Sequence, residues 1–205
     1  MKTVPSNASG TAGVRPGSAA QHDRRRRILD ATIALATEGG FEAVQMRTVA
    51  DTADVALGTL YRYFPSKVHL LVSALGRELE GADRRTALQA LAGATAHERV
   101  VHVLGRTTRL LQTQPRLTEA LVRAFMFADA SVGAEIDEVS TRLTSMISRA
   151  ISGSPDHGEV IEEQTVIVRV IADLWLSALV GWVAGRTAAK DVEKSIDVAV
   201  GLLLP

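Results

Sequence analysis

The chain has no cysteine. That absence excludes a disulfide framework, a cysteine-ligated zinc site and thiol catalysis. Aromatic residues are scarce as well: two Trp, two Tyr and four Phe in 205 residues, so those that cluster beside a motif carry weight. No uninterrupted apolar run reaches the ~18 residues that a membrane-spanning helix needs. No apolar leader opens the chain; its first 21 residues are rich in Gly, Ser, Ala and Thr. They read as a flexible tail over 1–22, and a cytoplasmic location is the expectation. No segment keeps a period of two and no internal repeat is found, so strands are not expected.

The net charge is zero over the whole chain, which argues against a nucleic-acid partner until the halves are separated. Residues 1–69 carry nine Lys/Arg against six Asp/Glu, and residues 70–205 carry fourteen against seventeen. The positive excess sits in the first third, above all in Arg24, Arg25, Arg26 and Arg27. A charge run is ordinarily a solvated face. Here it opens a helix, where the macrodipole disfavours cations, so a phosphate partner is expected to compensate.

What is present is helical periodicity. Ile28, Leu29, Ile33, Leu35 and Ala36 predict a helix over 23–38, closed by Gly39 and Gly40. Two short helices follow, over 47–53 and 57–64, with Asp54 in the turn because Asp tolerates left-handed backbone. Pro65 stops the second, and Ser66 is placed to cap a longer helix from Lys67. Further helices are expected over 96–113 (capped by Thr95), 115–128, 132–151, 159–185 and 190–204, with the loop from Gly153 to Gly158 between the third and fourth of these. The fold class is all-α, about nine helices, divided into 23–69 and 70–205.

Two short helices in a tight turn, followed by a longer one, form a helix-turn-helix, whose second short helix enters the major groove. Val49, Ala50 and Ala53 supply the apolar face of the first; Leu60 and Phe64 face inward from the second. Gly58 and Thr59 are small enough for close backbone approach to phosphates. Tyr61, Arg62 and Tyr63 offer polar and aromatic groups, although either tyrosine could instead pack. Arg47 and Arg62 best suit guanine, because a guanidinium matches its two major-groove acceptors.

The run Asp54-Val55-Ala56-Leu57-Gly58-Thr59-Leu60-Tyr61-Arg62-Tyr63-Phe64-Pro65-Ser66-Lys67, with Gly40-Phe41 and Val49-Ala50 before it, resembles the signature of the TetR family of repressors. The match covers about 24–75. It departs from the common pattern at Gln45-Met46, where a hydroxyl cap is usual, at Asp54 for Gly and at Ala56 for Ser. The resemblance implies DNA contacts from Arg47, Thr48, Leu57, Gly58, Thr59, Tyr61, Arg62, Tyr63 and Lys67, alongside Arg24 to Arg27. It also implies a homodimer on a pseudo-palindromic double-stranded operator, and a hydrophobic small-molecule effector bound by the C-terminal helices. The stretches 40–47, 65–78 and 125–130 are similar to a subgroup that represses sterol catabolism in actinomycete bacteria and is released by steroid-derived CoA thioesters.

An effector pocket is expected between the helices of 96–128 and 159–185, with Leu104, Thr107, Leu111, Arg123, Met126, Phe127, Trp175 and Leu179 as candidates. Met126 is favoured because a thioether adapts to ligands. Trp175 and Trp182 share a face and suit either packing or a pocket wall. Ala178, Gly181, Ala184 and Gly185 suit either a two-fold contact or packing within one chain. The five histidines are scattered without an H-E-x-x-H pair, and there is no G-x-S-x-G or P-loop, so no metal, cofactor or enzymatic role is expected. Glu159, Glu162 and Glu163 are explained by the favourable N-terminal end of their helix. The rivals are a repressor of a multidrug efflux pump, an architectural DNA binder, and a helical-bundle enzyme.

Overall fold

The computed structural model describes residues 16–87, 93–154 and 162–204. Residues 1–15 of the expected tail, the loop residues 155–158 and Glu159 lie outside them. Among the described residues there are nine α-helices and no strand: α1 (Pro16–Ala43), α2 (Met46–Thr52), α3 (Leu57–Tyr63), α4 (Lys67–Ala87), α5 (Ala96–Gln112), α6 (Pro115–Met126), α7 (Gly133–Ser152), α8 (Glu162–Val183) and α9 (Ala189–Leu203). A single 3-10 turn, Ala130–Val132, joins α6 to α7.

The first helix corrects two expectations. It begins at Pro16, so residues 16–22 are helical and not tail; proline at a helix start costs no hydrogen bond. It also continues to Ala43 across a break at Gly40, whose φ of 68° and ψ of −159° only glycine adopts readily. Gly40 is buried where α1 crosses α6, with Glu119 Oε2 3.6 Å from where a Cβ would stand. The earlier start moves Arg24 to Arg27 about two turns into the helix, beyond the reach of its N-terminal dipole, which fades within the first turn. The expected need for a compensating anion there falls away.

Elsewhere the expected boundaries of the described helices fall within a residue or two, the start expected at 159 lying outside the described residues. Asp54 takes the left-handed conformation at φ 51°. Thr95 caps α5 as half of a capping box with Glu98. Neither Gln45 nor Ala56 donates a side-chain cap to α2 or α3, so these two short helices depend on tertiary packing. Ile28, Val49, Leu60, Phe64 and Leu71 supply it, each at most 1% exposed.

Helix α4 leaves this cluster and packs against α6 and α7; α5 packs against α7 and α9, and α8 against α9. Helix α8 is, over Gln164–Val183, long and apolar enough to cross a membrane by length and composition alone, although only 33% of that window is buried in the chain. Counting uninterrupted runs missed it because Arg169 and Asp173 break the sequence. Gly181 serves the chain itself: a Cβ there would meet Thr187 Oγ1 at 2.8 Å, and its carbonyl accepts from the backbone N–H groups of Arg186 and Thr187.

Candidate DNA-contact surface and effector cavity

Helix α3 lies on the surface with its apolar side down. Leu60 and Phe64 are buried, whereas Leu57, Gly58, Tyr61 and Arg62 are exposed and Thr59 and Tyr63 half-buried. Arg47 and Thr48 of α2 are exposed beside them. Gly58 has no atom of the chain within 4 Å of where a Cβ would stand, so nothing inside the molecule demands glycine there. Arg47 and Arg62 make no ion pair among the described residues. Their guanidinium groups stand free beside the exposed face of α3.

The four consecutive arginines divide by role. Arg27 reaches across to the α2–α3 turn, donating to the carbonyls of Ala53 at 2.7 Å and Asp54 at 3.3 Å. Arg25 lies over the Phe64 ring at 5.5 Å, and Arg24 donates to the Tyr63 hydroxyl at 3.5 Å. Arg26 pairs in the open with Asp23 at 2.6 Å. Much of this run therefore holds α1 against the two short helices. Lys67 is similarly engaged. Its Nζ donates to the Phe41 carbonyl at 2.8 Å and sits 4.0 Å from the Phe41 ring centroid; desolvation, with Arg123 nearby, pushes its pKa down from the ordinary lysine value.

The C-terminal helices enclose a cavity of about 690 Å³. Its buried wall includes Leu79 of α4, Leu121 of α6, Leu143 of α7, and Trp175 and Leu179 of α8. The Trp175 indole N–H donates to Thr108 Oγ1 at 2.9 Å, and the Thr118 hydroxyl to the Leu111 carbonyl at 2.7 Å. The deep end thus presents a saturated, apolar surface.

Three of the eight pocket candidates, Leu111, Trp175 and Leu179, line this cavity. Trp175 is both packing residue and cavity wall. Leu104 is fully buried core. Thr107 also faces elsewhere, its hydroxyl bonded to the Val103 carbonyl at 2.9 Å and near the Met146 sulfur. Met126 and Phe127 are 57% and 66% exposed; they end α6 on its outer side, and Phe125 turns into the cavity instead. Arg123 points away from it. Its guanidinium stacks 4.3 Å from the Phe41 centroid and pairs with Glu42 at 3.2 Å and Glu119 at 3.7 Å. Sequence reasoning missed the walls given by α4 and α7, although the four-residue spacing of Leu75 and Leu79 was visible.

Helix α6 consequently has two working faces. One carries Leu121, Val122 and Phe125 to the cavity. The other is fastened to α1: Arg116 donates to the Glu38 carbonyl at 2.5 Å, and Gln114 receives the Thr37 hydroxyl at 3.2 Å. Helix α4 is tied to the loop after α6 through His69, which bridges Ser66 Oγ at 2.9 Å and the Ser131 carbonyl at 3.0 Å.

Outside the cavity, α8 exposes Val166, Val170 and Leu174 at four-residue spacing, and α9 exposes Val198 and Leu202.

Residues 28–74 match the model of bacterial regulatory proteins of the tetR family, and 93–203 match that of the tetracyclin repressor-like C-terminal domain. The chain is 56% identical to the HTH-type transcriptional repressor KstR of Mycolicibacterium smegmatis, over 92% of this chain and 90% of that protein. A TetR transcriptional regulator from Rhodococcus sp. RHA1 superposes with a TM-score of 0.81 at 32% identity, covering 90% of this chain and 97% of the other. The Thermus thermophilus repressor FadR, crystallised in complex with lauroyl-CoA, superposes at 0.70 with 19% identity over 87% and 92% of the two chains. The protein belongs to the TetR family of transcriptional regulators.

Proposed function

We propose that this protein is a transcriptional repressor that a hydrophobic, acyl-type effector releases from its operator. Residues 23–69 form the DNA-binding part and 70–205 the effector-binding and dimerising part. The observation that carries the proposal is the shared helix: α6 walls the cavity on one face and is bolted to α1 on the other.

Two copies join through the exposed apolar stripes of α8 and α9, which accounts for an α8 that looks apolar enough for a membrane. The dimer sets two α3 helices ~34–36 Å apart, one turn of DNA. Arg62, Arg47, Tyr61 and Thr59 face base edges, and the Gly58 backbone approaches a phosphate. An effector in the cavity pushes α6, and α1 follows through Arg116 and Arg123 to a spacing that no longer fits. It can shift the balance only by its difference in affinity for the two arrangements. The likeness to a sterol-catabolism repressor, and the lauroyl-CoA bound by a structural neighbour, support a steroid-derived CoA thioester. The protein acts on DNA in the cytoplasm and performs no catalysis.

The test is a footprint of the DNA flanking the gene, repeated with steroid and fatty acyl-CoA thioesters. Protection that thioesters abolish supports the proposal. Two exposed carboxylates at the cavity mouth, Asp137 and Asp173, favour the rival efflux-pump repressor; release by planar cationic drugs but not by thioesters would select it.

A further inference from the structure

The cavity has two kinds of wall. Its deep end is apolar and internally saturated. Its mouth, marked by the exposed residues Asp137, Ser140, Thr165, Arg169 and Asp173, lies between α7 and α8. Half-buried Ser145 and Ser148 stand behind it. The side chains of Ser145, Ser148, Thr165 and Arg169 make no hydrogen bond to any other described residue. Helical serines and threonines usually return their hydroxyl to the preceding turn, as Thr107 and Thr108 do here. Here three hydroxyls, each both donor and acceptor, are left to the slot.

The charge at this mouth is wrong for phosphate. Phosphate sites gather Arg, Lys or backbone N–H groups. Among the described residues this one holds two carboxylates against one guanidinium, and none of the three is ion-paired with a described residue. Asp173 follows Arg169 by one helical turn, ~6 Å along the axis, well inside the ~8–10 Å over which salt screens charge. These described groups offer a polyanion no net attraction.

Size gives the same division. A cavity of about 690 Å³ falls mid-range for holding a drug-sized body, ~300–1,000 Å³. The remainder of a larger effector must pass through the mouth.

We propose that the slot between α7 and α8 is a subsite for a neutral amide- and thioester-bearing arm of the effector. Its carbonyls accept from Arg169 and the serine hydroxyls; its amide N–H groups donate to the hydroxyls and to Asp173. Any phosphates beyond the arm go unrecognised at this mouth. The proposal rests on the cavity being the effector site.

Operator release by three forms of one steroid side-chain acid tests it: the CoA thioester, the pantetheine thioester and the free acid. The two thioesters should act within about threefold of each other, and raised salt should change neither constant beyond about twofold in a salt-insensitive readout of ligand binding, Trp175 fluorescence. The free acid should be about tenfold weaker, having lost the arm's hydrogen bonds. A S145A/S148A double variant should bind the pantetheine thioester about tenfold more weakly and the free acid unchanged. A CoA thioester more than about tenfold better than its pantetheine counterpart would overturn the subsite while leaving the effector cavity standing. So would a double variant that binds all three normally. Failure of all three forms to bind would remove the cavity reading, and the subsite with it.

Discussion

The two ends of helix α4 border opposite kinds of interior. At its start, Leu70 and Leu71 pack with Leu60 and Phe64 into a filled core, all at most 1% exposed. Further along, Leu75 and Leu79 line about 690 Å³ that the chain leaves unfilled. A part that must present side chains to base edges gains from rigidity, because a close-packed interior does not deform continuously. A part that must respond to a ligand gains from a space whose walls can close in more than one way. In the proposed function the same helix is the boundary between a reading surface and a sensor.

The sharpest way to break that comparison is to make each region like the other. Phe64→Ala hollows the filled core and should destabilise it by about 3–5 kcal/mol. Thermal melting and operator affinity should both collapse. If melting is unchanged, the N-terminal core is not the support of α3. The converse change, Ala172→Phe, fills the cavity, where extra volume has room and stability should fall by no more than about 1.5 kcal/mol. Operator binding should survive while thioester affinity drops at least about a hundredfold, ~2.7 kcal/mol. Normal release of this variant by effector would place the effector elsewhere.

Next in size is the reading surface. Arg62→Ala should cost about 1–3 kcal/mol of operator affinity and relax the preference at one base pair. Arg26→Ala, whose side chain already pairs with Asp23 in the open, should cost little affinity and lower the salt slope by no more than about one. Equal losses from both, measured by fluorescence anisotropy across salt, would mean that α3 reads no bases.

The comparison also explains what the sequence made legible. In the filled region each residue's role follows from its neighbours in the chain: Leu60 and Phe64 lie four apart and point inward, and Gly58, Tyr61 and Arg62 point out. Local periodicity is enough there. The cavity wall is drawn from five helices, and no local pattern tells Phe125, which faces it, from Met126, which is exposed. A chemically suggestive residue misled for the same reason. Arg123 looked like a ligand contact, but its partner Phe41 lies 82 positions earlier, and only the crossing of α1 over α6 brings them together. Lys67, a DNA contact by family resemblance, and Arg27, one by its charge run at a helix start, also donate to backbone carbonyls distant in sequence, which no local pattern reveals.

That crossing gives a smaller test. Arg123→Ala removes the stack on Phe41 and the pair with Glu42 without touching the cavity. Effector affinity measured on the free protein should stay within about threefold, while the coupling between effector and operator changes by about 0.5–2 kcal/mol. Release would then need several-fold more effector. Unchanged coupling would mean that α1 is moved by another route, with His69 and the Ser131 carbonyl the next connection to cut.

The smallest expected effect separates the two regions by pH. The short helices α2 and α3 have no side-chain caps, whereas two loops of the C-terminal part are held by ionised ones. Asp129 accepts from the Ser131 hydroxyl and backbone N–H, and Glu98 from the backbone N–H groups of Thr95 and Ala94; these bonds hold both carboxyls below their ordinary pKa. A lowered pKa means stability that is fully present above the ordinary carboxylate range and is lost as pH falls through the lowered value. Asp129→Asn keeps an acceptor but cannot titrate. Its melting temperature should therefore lie below that of the parent near pH ~7, and the gap should close as pH falls through the lowered Asp129 value. Asp23, lowered chiefly by its bond to Arg26, has the same sign, but its exposed ion pair fades in salt. The Asp129 difference should persist at high salt, because hydrogen bonds to a backbone N–H and a hydroxyl are less screened than a pair of free charges. A gap between parent and variant that vanishes in salt would show the carboxylate acting through charge alone, leaving the turn between α6 and α7 uncapped like the helices of the reading surface.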